Sequence, residues 1–193
     1  MRSIKPDELE KLAAAGRRMY EGGLATGATG AMGVRLTGGV VMVTASGTRL
    51  GFLSKEDLLV MNGSGPAGRN GRSVGRETGI IRAVLASQPE AGAVIKVNAP
   101  YTTALSHKGR KAIEKSSALL ADLGGVAFVP YYRPGTAGLA GAVAEAACSN
   151  RVAFIEGQGA VVWGSDIEDA IDQAEALEAA ARVVFILSSS NGS

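Results

Sequence analysis

The stretch AGAVIKVNAPYTTAL, residues 91–105, decides how the chain is to be read. Val94, Ile95 and Val97 belong to a buried strand. Lys96 and Asn98 interrupt that run two residues apart. Successive side chains of a strand alternate faces, so both polar groups point the same way. A polar pair on one face at the end of an apolar strand has to be solvated, paired or used chemically. The chain then passes Pro100 into YTTALSHKG, which reads as a helix.

Working outward, the same grammar repeats. Upstream, GRETGIIRAVLASQP predicts a helix with Ile80, Ile81, Val84 and Leu85 on one face and Pro89 as its stop. MGVRLTGGVVMVTASG reads as two strands joined by a glycine turn. Ser54 and Asp57 fit a capped helical turn, and LLVMN returns to strand. Residues 63–73 read as loop. At the start, Pro6, Asp7 and Glu8 open a helix that Gly22 and Gly23 close. Downstream come a strand (GGVAFVPYY), a helix (LAGAVAEAACSN), a strand pair (RVAFIEGQGAVVWG) and a long amphipathic helix from Asp166. Alternating strands and helices with one early hairpin predict an α/β domain over residues 1–187, with a mixed sheet covered by helices on its faces. Residues 188–193, SSSNGS, read as a disordered tail.

Composition narrows the function. The 193 residues suffice for one sizeable core. No segment is apolar for the length of a membrane span, and MRSIKPDELEKL has no signal-peptide core, so a cytoplasmic protein without membrane contact is expected. A net charge of +2 and 5% aromatics argue against a nucleic-acid surface. The basic clusters HKGRK (107–111) and RNGR (69–72) read as solvated loops. The single cysteine, Cys148, excludes an internal disulfide and reads as a small buried group; Phe154, Trp163 and the C-terminal leucines read as core. The glycines of GATGAMG are followed by a strand rather than a helix, which excludes a dinucleotide-binding turn.

The order of segments resembles the class II aldolase/adducin family over nearly the whole chain, and the resemblance implies a three-layer α/β/α domain around a mixed, mainly antiparallel central sheet. GLATGATGAMGVRL resembles the family's glycine-rich turn, VTASG its T-P-S-G turn, GRETGIIRAVLASQPEAGAVI the helix that starts at a catalytic glutamate, and FIEGQGAVVWGSDIEDAIDQAEALEAAA its last strand pair and helix. The resemblance implies a zinc or similar ion on three histidines, two from an H-x-H motif at a strand end and one from N-H-G. Here Lys96 and Asn98 stand at the first two positions, in a register fixed by Pro100 and Tyr101, and Gln158 at the third. His107, the only histidine, reads as a loop residue off the motif. A protonated lysine cannot ligate, and Asn and Gln are weak oxygen donors, so no metal and no cofactor are expected.

By the same resemblance Glu77 is the acid/base, Tyr131 a further active-site residue, and Gly30, Thr44, Ser46 and Gly47 the anion-binding turn. Gly75 and Arg76 replace paired serines, and Arg76 adds a guanidinium for an anion. Lys96 has two readings. It is a structural cation paired with Glu77, or it takes over the electrostatic work of the ion on an enolate while Glu77 moves the proton. A Schiff base on neutral Lys96 is disfavoured here, because a nearby carboxylate raises a lysine pKa. Asn98 and Gln158 either fill vacated positions or bind substrate oxygens. Two functions remain open: a metal-independent, aldolase-like lyase or isomerase acting on a small hydroxy-carbonyl compound, phosphorylated or not, and a non-catalytic binding or scaffold module. The expected partners are an anionic or sugar-like small molecule and, by resemblance, further copies of the chain in a homo-oligomer such as a tetramer.

Overall fold

The computed structural model describes residues 6–62, 65–66 and 72–190. Its strands are β1 (Ala31–Arg35), β2 (Val41–Thr44), β3 (Leu58–Asn62), β4 (Gly65–Pro66), β5 (Ala93–Val97), β6 (Val126–Val129), β7 (Val152–Ile155) and β8 (Gly159–Gly164). They form one sheet in the order β4-β3-β2-β1-β5-β8-β7-β6. Only β6 and β7 pair in parallel; every other pairing is antiparallel. The helices are α1 (Pro6–Glu21), α2 (Thr78–Ser87), α3 (Pro100–Lys108), α4 (Arg110–Lys115), α5 (Ala137–Ala147) and α6 (Ile167–Ser190). They cover both faces, which gives the expected three layers.

Central position explains the composition of β5. It lies between β1 and β8, and all five of its residues are buried. Ala93, Ile95 and Val97 enter the core beneath α1, α3 and α6. Val94 enters the opposite core, beneath α2 and α5. The alternation therefore turns Lys96 toward the α2 side. The early hairpin forms as read, with Gly38 and Gly39 at positive φ and Leu36 N–H donating to Val40 O at 2.7 Å. The capped turn at Ser54 and Asp57 is also present. α1 is tied to α6 by Arg18, which reaches Glu168, Asp172 and Glu175. Among the described residues no helix is long and apolar enough to cross a membrane.

Several local expectations are corrected. HKGRK is not a loop: it ends α3 and begins α4, and Gly109, at φ +79, breaks one helix and lets the next start. His107 accordingly sits in the last turn of α3. Two short 3-10 turns, Ser117–Leu119 and Ala121–Leu123, follow in a region for which no element was expected. α6 continues through Ser190, three residues into the expected tail; 191–193 lie outside the described residues. Of the 63–73 loop, residues 65–66 pair with β3, while 63–64 and 67–71, including most of RNGR, are not described; Arg72 pairs with Asp57 at 2.6 Å. Cys148 is exposed, because it caps the end of α5 rather than lying along its buried stripe. Phe154 is core, but Trp163 is half-buried with its Nε1–H on Asn150 O, and Leu187 is exposed at the end of α6.

Candidate active site

Two segments that are distant in sequence build one wall of a cleft. The turn after β2 is pinned to residues 73–74 by a bridge between Ala45 and Val74 and by Ser46 N–H donating to Ser73 O at 2.8 Å. That pinning brings Ser46 and Gly47 beside Gly75, Arg76 and Glu77. Gly47 adopts φ +73, a conformation that favours glycine. Glu77 caps α2 without a side-chain cap bond, so its carboxylate is not spent on the helix. One of its oxygens lies 3.4 Å from where a Cβ on Gly75 would stand. The cleft is also lined by Gly30 and Ala31, at the start of β1, and by Asn98, just beyond β5. The cleft holds about 250 Å³, room for a substrate of a few carbons rather than a large cofactor.

Lys96 does not itself line the cleft but bonds to Asn98, which does. It is 4% exposed and faces Ala31 across the β1–β5 ladder. Its ammonium donates to Val97 O at 3.2 Å, to Asn98 Oδ1 at 3.3 Å and to Gln158 O. Gln158 O also accepts from Asn98 Nδ2 at 3.3 Å. The turn that offers this carbonyl reaches β5 only because residue 159 is glycine. It has φ +78, and a Cβ there would fall 2.2 Å from Val97 O. Ser106 Oγ accepts from Gly159 N at 3.2 Å and holds the turn from the α3 side.

The contact expected between Lys96 and Glu77 is not made. The ammonium is satisfied by carbonyl oxygens, and Glu77 acts on it through space. Burial lowers the Lys96 amine from 10.5 to about 8, and Glu77 opposes that shift without overcoming it. The carboxylate raises the lysine pKa as expected from the sequence, but desolvation is the larger effect.

Gly30, Thr44, Ser46, Gly47, Arg76, Glu77 and Asn98 thus share one cleft. Thr44 lines it but spends its hydroxyl on β1, accepting from Met32 N at 3.2 Å and donating to Met32 O at 3.3 Å. Gln158 contributes its backbone carbonyl to Lys96 while its side-chain amide donates to Tyr132 O at 2.8 Å. Tyr131 is not brought into the cleft: its ring is exposed, and its N–H donates to Glu156. Ala28, Thr29 and Thr78 also line the cleft and were not singled out from sequence. Their one signal is adjacency to Gly30 and Glu77. Among the described residues no three His, Cys, Asp or Glu side chains gather in a way that could hold a metal.

Comparison with known proteins identifies relatives of the whole chain. The sequence profile of the Class II Aldolase and Adducin N-terminal domain matches residues 10–185. The 3-oxo-tetronate 4-phosphate decarboxylase of Haemophilus influenzae is 34% identical over 89% of this chain and 84% of its own. The L-fuculose phosphate aldolase of Methanococcus maripaludis is 27% identical over 89% of this chain and 92% of its own. Among solved structures, YgbL of Escherichia coli superposes with a TM-score of 0.83 at 26% identity, covering 94% of this chain and 89% of that one. An L-fuculose 1-phosphate aldolase shares the fold with a TM-score of 0.83 at 20% identity, over 98% of this chain and 90% of that one. Sequence and fold agree, and the chain belongs to the class II aldolase and adducin family.

Proposed function

We propose that the chain is a lyase that breaks a carbon–carbon bond in a small phosphorylated hydroxy-carbonyl compound, and that it works without a divalent metal. The named relatives support the reaction class: a 3-oxo-tetronate 4-phosphate decarboxylase and an L-fuculose phosphate aldolase both cleave a bond whose electrons pass into a neighbouring carbonyl. Either cleavage leaves an enolate, and its oxygen needs a positive partner. The one observation that carries the reading is the buried Lys96, a hydrogen bond away from a cleft that also holds Glu77 and Arg76. A divalent ion does not fit there. An ammonium at the first position repels it, and Asn98 and Gln158 already spend polar groups on Lys96 and Tyr132. In this reading Arg76, with the turn at Ser46 and Gly47, takes the phosphate. Asn98 orients the carbonyl oxygen, Lys96 supplies the charge, and Glu77 moves the proton. We also propose that the chain works as a homo-oligomer.

The test is turnover of 3-oxo-tetronate 4-phosphate and L-fuculose 1-phosphate by protein freed of metal with a chelator, with metal content measured alongside. Expected are carbon dioxide release or aldehyde formation that persists without metal, and a KM raised about tenfold or more by Arg76→Ala. Activity that vanishes with the chelator and returns with zinc would overturn the metal-independent reading. Binding of both compounds with turnover of neither would favour the non-catalytic module.

A further inference from the structure

Resting on that reading of the cleft, we propose that Lys96 is a nucleophile as well as a cation, forming an imine with the ketone carbon of the substrate before the carbon–carbon bond breaks. Among the described residues Lys96 is the one buried lysine; Lys11, Lys55, Lys108, Lys111 and Lys115 are exposed. A structural lysine in a dry place is normally held by a carboxylate in contact, because an unpaired buried charge is costly. No carboxylate touches Lys96. Its three acceptors are uncharged carbonyl oxygens, two of them at 3.2 and 3.3 Å. Such bonds favour the ammonium, but the two to Val97 O and Asn98 Oδ1 are long, and the loss of water around Nζ outweighs all three, so a share of the amine is neutral near pH 8.

Placement supplies the rest. Asn98 Oδ1, which holds the ammonium at 3.3 Å, belongs to a residue of the cleft wall. Exchanging that long bond for a substrate carbonyl is a small change for a flexible four-carbon stem. Glu77 lines the same cleft and interacts electrostatically with the amine, so it is the group placed to move protons.

The steps balance without any further reagent. The Nζ lone pair adds to the ketone carbon to form a carbinolamine. Its hydroxyl takes a proton through Glu77 and leaves as water, giving an iminium. For a 3-oxo acid, the bond to the carboxylate breaks, carbon dioxide departs and the electron pair forms an enamine. A proton returns to carbon, water hydrolyses the iminium, and Lys96 and the shortened ketone are released. An iminium is a stronger electron sink than a ketone, which is the work a metal ion would otherwise do.

Loss of carbon dioxide from 3-oxo-tetronate 4-phosphate leaves dihydroxyacetone phosphate, and by reversibility this ketone forms the same imine. It is the probe. The whole protein is mixed with dihydroxyacetone phosphate and sodium borohydride, then digested and mapped by mass spectrometry, while calorimetry measures binding in parallel. Expected is a reduced adduct on the Lys96 peptide that saturates with the probe and exceeds any adduct on the exposed lysines. Lys96→Met should abolish it. Lys96→Arg keeps a cation but cannot form an imine; it should bind the probe, give no adduct and lose turnover at least about a thousandfold. Saturable binding without an adduct at Lys96, or Lys96→Arg turning over within about tenfold of wild type, overturns the covalent role and leaves the lyase reading intact. No binding of the probe overturns the reading of the cleft, and this proposal with it.

Discussion

At the scale of one residue, Lys96 sets the sign of a stability effect that can be measured without a substrate. Burial that moves its pKa from 10.5 to about 8 costs the folded state about 3 kcal/mol where both states are protonated. Below pH 8 the cost is full. Between about pH 8 and 10.5 the unfolded chain holds a proton that the folded chain has shed, so stability rises with pH; above 10.5 the cost is gone. Urea unfolding of wild type and Lys96→Met should therefore converge or cross on going from pH 7 to pH 10, with wild type gaining about 2 kcal/mol relative to the variant. A constant difference between the two would show that the amine is not depressed. The polar pair was legible in sequence because a strand's period of two puts Lys96 and Asn98 on one side. What could not be read is that Lys96 stands behind Asn98 on carbonyl oxygens. Two of those oxygens, on Val97 and Gln158, are backbone carbonyls, which every residue has, so these partners leave no trace in residue types.

Among the elements, α3 depends on α6 for its first turn. Glu178 accepts from Tyr101 N at 3.0 Å, Thr102 N at 2.8 Å and Thr102 Oγ1 at 2.7 Å, standing in for a cap that Ala99 cannot provide. α3 in turn carries Ser106, which holds the turn under Lys96. Glu178→Ala should cost about 2 kcal/mol, read as a lower urea midpoint at unchanged slope. Glu168→Ala, on the exposed side of the same helix, should cost almost nothing; equal losses in the two variants would refute the capping role. Periodic apolar stripes made α2, α5 and α6 readable. α4 was not, because RKAIEK buries only Ile113 and has no stripe. The placement of β5 between β1 and β8 was equally hidden, since it rests on pairings between distant segments.

For the whole molecule, the proposed assembly has surface to draw on. Val183 and Leu187 leave apolar side chains exposed at the end of α6, and β6 is an open edge of the sheet. Light scattering should return a multiple of the chain mass, and a monomer at working concentration would refute the homo-oligomer. The tie between α1 and α6 bears on how the molecule is made. Arg18 and Glu168 are 150 residues apart. At ribosomal speeds of about 5–20 residues per second, the first helix is synthesised roughly 8–30 s before the acids that receive it. During that interval Leu12, Ala15 and Met19 lack the α6 part of their core, and the nascent chain carries an apolar stripe that chaperones can bind. A message cut short before α6 would leave that stripe uncovered for the life of the product, marking it for degradation rather than for a slower version of the same work.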